Sequence, residues 1–561
     1  NKTQIKYSWN DAGTGITYTN PSTSGFRETY DTLRYPFIDW NHQYLIGGTG
    51  SGTNATAGNP ELTSLEQAFR PCIQLKYLIN RIFAASGFNY TSDFFDSADF
   101  GKLYMDFNWG ADNAPVVFNN SGELYRVTAL GIPASYLTLT YFPASTLTLP
   151  AEFGFSAGVF TALEDGQTYN INYNMLFDFD LLGGELRVRW KINGVVHNQY
   201  TVIASSTSLT YTGSFSTTLQ TGDTILCEAI ALQGNPLTGI KFGYQTAPAV
   251  VATTSVNQMT NETFLETLRG ELGQWDFLKG IMTMFNLVSM VDENDPDNIL
   301  IEPYSDIFIT NPNSERLDWT EKIDASEMEL QPLTDLNKNT IFQFVEDDDD
   351  YAFNVYKNSN SGHLYGSKVW DASGFTILEG TKEIIAEPFA ATVSKPLGSQ
   401  FSSFITPSIY SMTDDGTTEG FDNSPRIFYN NGEKGTGASY FIPTQNGVTG
   451  ENQEDFLQFS HLTDIPTIAG STDFVFESQQ LFPGVGNAPT DNLFSMYWQP
   501  YFNELYNADT RTMTLKVNLS PSDVAAFKFY DTVFIKNRVF RVNKIEYKPN
   551  DLATVEFILI P

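Results

Sequence analysis

The chain has 561 residues, enough for roughly three to five domains at about 100 to 200 residues each. Its 32 Lys and Arg against 65 Asp and Glu give a formal net charge of −33, which disfavours stable binding to nucleic acid or to an anionic membrane surface. Charged residues make up only 17% and aromatics reach 14%, so the composition is unlike that of disordered acidic chains and the protein is expected to fold.

Two cysteines, Cys72 and Cys227, offer neither a disulfide framework nor a paired-thiol zinc site, and both read as buried thiols. No apolar run approaches the roughly 18 residues that cross a bilayer, and Asn1 to Asn10 lacks the basic-then-apolar plan of a secretion signal. A start at Asn rather than Met is read as processing or truncation.

From Asn1 to Gly58 the text is rich in Thr, Asn and Gly, with aromatic islands, and reads as strands joined by the mobile loop Gly47 to Asn59. This loop lacks the GK[ST] ending of a phosphate cradle. The period then changes. Leu75, Leu78, Ile79, Ile82 and Phe83 form an apolar helical stripe, Gly87 marks its stop, and Pro71 is expected in its first turn, after a separate short helix in LTSLEQAF.

Beyond Phe107 short β-like runs recur, most clearly over 160 to 250. There TYNINYNMLFDFD, ELRVRWKING, SLTYTGSFSTTL and DTILCEAIAL alternate apolar with polar residues, as a self-contained β-sandwich requires. A second helical period joins Phe264, Leu265, Leu268, Leu272, Trp275, Leu278, Ile281, Met282 and Phe285, weakened by Gly270, Gly273 and Gly280. It runs into a hairpin at FNLVSMVDENDPDNILIEPYSDIF, and the expectation is one α/β unit with Trp275, Phe285 and Ile301 buried between helix and hairpin. From Leu330 to Tyr440 the chain reads as irregular and β-like. The last 50 residues read as antiparallel strands of a terminal barrel or sheet, with a tight turn at Lys536 to Arg538.

No constellation carries an evident chemistry. His42, His197, His363 and His461 are scattered, without the spacing of a helical zinc site, and read as turn or surface residues. The acidic runs Asp292 to Asp297 and Glu346 to Asp350 lack calcium-loop spacing and read as solvated turns, with adventitious calcium as the sharper alternative. Tyr169, Tyr173, Trp190 and Tyr200 are candidates for a sugar-binding groove on the sandwich, although core packing accounts better for Trp190. No catalytic, cofactor-binding or metal-binding residue is nominated, and no enzyme is expected.

Three blocks, Phe69 to Ser97, Trp275 to Phe308 and Leu515 to Tyr547, resemble segments of tail proteins from phages and prophages of Bacteroidetes-type hosts, of the baseplate or tail hub family. The distinctive features are a helix followed by an NxxIEP hairpin and a closing FxFxDxVxI strand pair. The resemblance implies a virion protein of the tail: a ring, as a homo-oligomeric trimer or else a hexamer, with barrel domains lining a channel that passes DNA without gripping it. Other tail proteins, such as tube, fibre or tip proteins, are the implied partners. The alternative is a receptor-binding or glycan-binding tail surface protein contacting host glycans through the sandwich.

The fold class expected is mainly β with a few helices (α+β) and multidomain, with hub-type β-barrel domains and an inserted Ig-like β-sandwich. The expected division is 1–150 with the first helix, 151–256 as the sandwich, 257–400 with helix and hairpin, and 401–561 with an irregular region and a C-terminal barrel.

Overall fold

The apolar stripe Leu75, Ile79 and Phe83 becomes the buried face of a helix, Leu75–Ser86, which Gly87 ends in the left-handed region at φ 81°. Pro71 does not open that helix. Cys72–Gln74 is a strand, paired with Leu33–Arg34 on one side and Leu103–Asp106 on the other, so Pro71 precedes a strand. The expected short helix in LTSLEQAF is likewise a set of turns: the N–H groups of Ala68 and Phe69 both return to Leu65 O, at 3.2 and 2.8 Å, and nothing continues the pattern.

The computed structural model describes residues 5–6, 8–9, 32–48, 54–107, 122–125, 130–139, 142–143, 153–156, 159–162, 167–233, 240–242, 252–257, 269, 271–292, 294–332, 336–443, 450–465, 470–479 and 488–560. The protein is mainly β with a few helices and is multidomain. Among the described residues no helix is long and apolar enough to cross a membrane.

The chain divides into two compact units, one of Asn1–Asp112 with Leu268–Pro561 and one of Asn113–Thr267. This differs from the four-part division expected from sequence, because distant strands pair. In the larger unit one sheet runs Leu33–Arg34, Cys72–Gln74, Leu103–Asp106, Ile427–Ile442, Pro60–Glu61 and Leu45–Ile46, with Glu451–Ser460 also on Ile427–Ile442. The segment expected to be irregular near 430 to 460 is thus a central part of the N-terminal sheet. Its core holds Phe37, Trp40, Phe69, Cys72, Tyr104, Phe404, Tyr440 and Phe456.

A second core gathers the first helix, the helix Gln274–Met284 and the strands around them. The helix buries Phe277, Gly280, Ile281 and Met284 and lies on the strand Glu379–Ala390. A Cβ on Gly280 would strike Glu387 O and approach Phe389 Cε2 to 2.6 Å, so only glycine permits this approach. After Phe285 the chain turns through Asn286, at φ 47°, into the hairpin Leu287–Val291 and Asn298–Pro303, whose second strand pairs in parallel with Asn89–Thr91.

The C-terminal sheet runs Arg316–Asp318, Thr532–Ile535, Arg538–Glu546, Ala553–Ile560, Arg511–Val517 and Ile323–Pro332. Its first and last strands are consecutive in the chain, and Trp319 between them sits in the core they enclose, with Leu515, Val533, Phe540 and Phe557. The turn at Lys536 and Asn537, both at positive φ, makes the tight hairpin expected there.

The smaller unit is a two-sheet β structure. The strands Gln167–Phe179, Glu185–Ile192, Ser208–Leu219 and Thr224–Gln233 lie where their alternation places them, and Leu186, Val188, Trp190, Cys227 and Ala229 point into its core. The unit begins before the expected residue 151, because Gly122–Tyr125, Leu130–Gly131, Leu137–Thr138 and Phe142–Pro143 already pair into its sheets. Runs of two to four residues are too short to show a period. Cys72 and Cys227 are both buried free thiols.

Of the three residues expected between helix and hairpin, Phe285 and Ile301 are 1% and 4% exposed and belong to one core cluster. Trp275 is a correction, being 65% exposed. The buried face is set by Phe277, Ile281 and Met284, and a residue two places before Phe277 lies about 200° round the helix, toward solvent. Truncation of Phe285 to alanine is therefore expected to cost about 3–5 kcal/mol, and Trp275→Ala to stay within about 0.5 kcal/mol of the native protein. Urea denaturation followed by far-ultraviolet circular dichroism measures both.

Candidate functional site

The distinctive residues of the resemblance blocks hold elements together. Asn298 Nδ2 donates to Thr91 Oγ1 at 3.1 Å and to Asp292 Oδ2 at 2.9 Å, joining the hairpin to the parallel strand and closing its own turn. Glu302 reaches the start of the short helix Asp93–Asp96 and accepts from the N–H groups of Asp93 and Phe94, as an acid does well at a helix N-terminus. Burial raises the Glu302 carboxyl above its usual value, with the two backbone N–H groups pulling the other way. In the closing strands Asp531 accepts from Glu315 N and Lys528 N, at 2.9 and 3.0 Å, and Val533 and Ile535 are buried.

The acidic run Asp292 to Asp297 is a turn closed on itself, with Asn294 N donating to Asp292 Oδ1 and Asp297 N to Asp295 Oδ1. The run Glu346 to Asp350 is only partly the solvated turn expected. Glu346 pairs with Lys357 at the surface, whereas Asp347 and Asp350 turn inward onto the buried guanidinium of Arg426. Asp350 also caps the helix Tyr351–Ser359, accepting from Phe353 N at 3.0 Å. A basic residue about 80 positions away decides which acids of the run go in, so the run itself could not tell. Burial works against the charge on Arg426, but the carboxylates of Asp350, Asp347 and Asp106 more than offset it, holding the guanidinium above its usual pKa.

Asp106, wholly buried, completes this network. Its Oδ1 accepts from Arg426 N at 2.8 Å, and its Oδ2 from Arg269 Nη2 at 2.8 Å and Asn423 Nδ2 at 2.7 Å. Among the described residues no group of three or more His, Cys, Asp or Glu side chains is placed to hold a metal ion.

The histidines divide. His197 is exposed, and His363 is half-buried against Tyr356 and Ser367. His461 is a correction, being enclosed: its Nδ1 meets Asp473 Oδ1 at 2.7 Å and its Nε2 meets Tyr365 Oη at 2.9 Å, all three residues being buried. Burial first, then the nearby Asp473 charge, drives the Tyr365 phenol well above its usual pKa, so this Tyr–His–Asp chain is an internal hydrogen-bonded strut with no ready nucleophile. Tyr365 is 96 positions from His461 and Asp473 is 12, and neither spacing is that of a helix turn or a known motif.

Among the described residues, His42 combines a carboxylate partner with a place in the wall of a cavity. Asp39 lies three positions before it, at 2.7 Å from Nδ1, and this DWNH spacing was a signal that sequence reading passed over. The ring stacks on Tyr410 at 4.8 Å and 11°, and the Asp39 carboxylate also accepts from Tyr44 Oη at 3.0 Å. Lys395 Nζ donates to Tyr410 Oη at 2.9 Å, and burial holds the Lys395 ammonium below its usual pKa.

In the smaller unit the proposed sugar-binding aromatics do not form a groove among the described side chains. Trp190 is wholly buried, Tyr200 is half-buried against Tyr211, and the side chains of Tyr169 and Tyr173 lie outside the described residues. The run GFSAG at 154–158 has the GxSxG spacing of a nucleophile elbow, but Ser156 pairs with Val159 between two antiparallel strands, where the elbow needs a strand entering a helix.

The remaining chemistry is apolar and at the surface. Large exposed apolar side chains sit on outer strands of five sheets: Leu45 and Ile46 on Leu45–Ile46, Val195 and Ile203 on Val195–Ile203, Val291 on Leu287–Val291, Met328 on Ile323–Pro332 and Val369 on Lys368–Asp371.

No family model and no curated protein matches the chain. Among solved structures, part of it is similar to a crystal structure of murine APRIL at pH 8.0, at 13% identity and a TM-score of 0.19, covering 25% of this chain and 98% of that one. At that TM-score the likeness supports no inference.

Breaking the buried charge network at Asp106 leaves the Arg269 guanidinium without its carboxylate in the interior, while Arg426 keeps Asp347 and Asp350. Asp106→Asn is expected to destabilise the larger unit by about 3–5 kcal/mol, read as the shift in urea midpoint at unchanged slope.

Proposed function

We propose that the chain is a structural virion subunit, a tail hub or baseplate hub that forms a ring at the end of a phage tail, around the DNA channel, and joins it to tip or fibre proteins. Its output on this reading is assembly, not catalysis. The observation that carries the reading is the coincidence of exposed large apolar side chains with the outer strands of five sheets. An outer strand presents unpaired backbone groups, and natural proteins ordinarily protect it with charge or cover; apolar groups there favour addition of another chain.

Further support comes from the resemblance blocks. The first and second share a three-stranded sheet, through the parallel pairing of Asn89–Thr91 with Asn298–Leu300, and a common core with Phe95, Phe285 and Ile301. They behave as one module, as a recurring hub element would. The net charge of −33 suits a wall past which DNA slides without being held.

The test is assembly of the full purified chain. Mass photometry and electron microscopy are expected to show a closed homo-oligomer, three-fold on the favoured reading, with interfaces above about 2,000 Å² as permanent assemblies have. Val291→Lys and Val195→Lys are expected to weaken assembly by about tenfold or more without loss of fold. A native protein that stays monomeric at micromolar concentration, alone and with tail-tube protein, overturns the proposal.

A further inference from the structure

We propose that the cavity beside His42 binds a phenolic ring, as a small free aromatic or as a tyrosine side chain, through a hydrogen bond donated by the phenol to His42 Nε2. The cavity, of about 270 Å³, is lined by His42, Ile46, Pro60, Leu397, Gln400 and Phe401. Its lining sets the apolar side chains of Ile46, Pro60, Leu397 and Phe401 beside polar groups in about equal measure, and its size suits one ring rather than a larger molecule.

The polar end is defined by proton bookkeeping. Asp39 is 1% exposed, and its carboxylate accepts from His42 N at 2.9 Å, from Tyr44 Oη at 3.0 Å and at 2.7 Å from His42 Nδ1. A carboxylate can only accept, so Nδ1 of the neutral imidazole carries the proton and Nε2 presents a lone pair. Nε2 makes no hydrogen bond among the described residues, and it is the ring nitrogen left for the cavity. The complementary ligand is therefore a donor attached to an apolar body.

The ring is held in place. Tyr410 stacks on it at 11°, and Lys395 fixes Tyr410 through the 2.9 Å hydrogen bond to its hydroxyl. His42 itself adopts φ 52°, a left-handed conformation that a residue other than glycine occupies at a cost, and such strain gathers at binding sites.

Other ligand classes fit less well. An anion would need a cation, but Lys395 is committed to Tyr410, while Arg70 lies over the Trp40 ring at 4.7 Å and donates to Glu66 O. A metal ion would need more than one imidazole, and no set of three ligands stands here among the described residues. An aliphatic alcohol would satisfy Nε2, but a phenol is the stronger donor and carries a flat apolar body suited to a lining of Ile46, Pro60 and Leu397.

The experiment titrates the full chain with p-cresol and with toluene, which has the same ring without the hydroxyl, by calorimetry or ligand-observed NMR. With eight heavy atoms p-cresol is expected to bind near about 1 mM, and toluene about tenfold more weakly for want of the hydrogen bond. In His42→Gly, which glycine's tolerance of positive φ should leave folded, the two are expected to bind alike. In Ile46→Trp, where an exposed residue is enlarged at the cavity, both are expected to weaken by about tenfold, a result independent of any change at His42. Competition by N-acetyltyrosinamide as strong as that by p-cresol identifies a tyrosine side chain as the source, and p-cresol binding without such competition identifies a free small molecule. Equal binding of toluene and p-cresol by the native protein, a p-cresol preference that survives His42→Gly, or no saturable binding of p-cresol overturns the proposal.

Discussion

Asp106 is wholly buried, and three donors from two other parts of the chain converge on its carboxylate: Arg426 N, Arg269 Nη2 and Asn423 Nδ2. Around it stand two guanidinium groups and the carboxylates of Asp347 and Asp350, with Arg426 Nη1 also bonded to Ala391 O. Taking so many charges out of water costs several kcal/mol for each, and the cost is repaid only when every group meets its partners. That condition makes the network a test of register. Strands from 103–106 and 427–442, the helix start at 350 and the chain at 423–426 must all be in place for the network to form as a whole. Asp106 precedes and Arg269 follows the 155-residue unit Asn113–Thr267 in the chain, and the 2.8 Å ion pair between them lies within the larger unit.

Around that polar centre the stabilising material is aromatic. Phe94, Phe95, Phe100 and Phe285 meet at centroid distances between 4.8 and 6.1 Å, and Phe342 is ringed by Phe476, Phe494, Trp498 and Phe502 at 5.0 to 5.6 Å. Tilted and edge-on rings at such spacing contribute beyond the area they bury. They also explain how helices of only 11 and 12 residues persist. Neither has a side-chain N-cap, and helices of this length are marginal alone, so their stability comes from the face each sets into the ring clusters. Gly280 permits one of these placements, since the helix could not otherwise approach Glu387 O.

What was legible in the sequence is what local periodicity records. The alternation in ELRVRWKING and DTILCEAIAL located strands that do bury Trp190 and Cys227, and the Leu75, Ile79, Phe83 stripe with Gly87 located a helix and its end. What was not legible depends on partners far along the chain. Pro71 looks like a helix start until Leu33–Arg34 and Leu103–Asp106 claim Cys72–Gln74 as a strand. Trp275 fits an apolar stripe drawn through Leu272 and Leu278, but the neighbours settle on Phe277, Ile281 and Met284 instead. The acids at 346–350 look solvated because Arg426 is remote, and His461 looks isolated because Tyr365 is remote and Asp473, 12 positions on, stands at no recognisable spacing. Of the candidate site, Asp39 and His42 were readable as a spaced pair, whereas the stacked Tyr410 and the wall of Leu397 and Phe401 arrive from elsewhere in the chain.

Charge then separates the roles of surface and edge. With 65 acids against 32 bases, copies of this chain repel one another over most of their surface, the more so at low salt. Association is possible only where carboxylates are paired or absent and apolar groups can be desolvated. Val195–Ile203 carries no charged residue over nine positions, and both residues of Leu45–Ile46 are apolar and exposed. Ile46 belongs at once to that exposed strand and to the wall of the His42 cavity, so whatever covers the strand also sits beside the cavity. A diffuse negative field that keeps neighbours apart, interrupted by short apolar strands that admit them, selects the direction of approach before any specific contact forms.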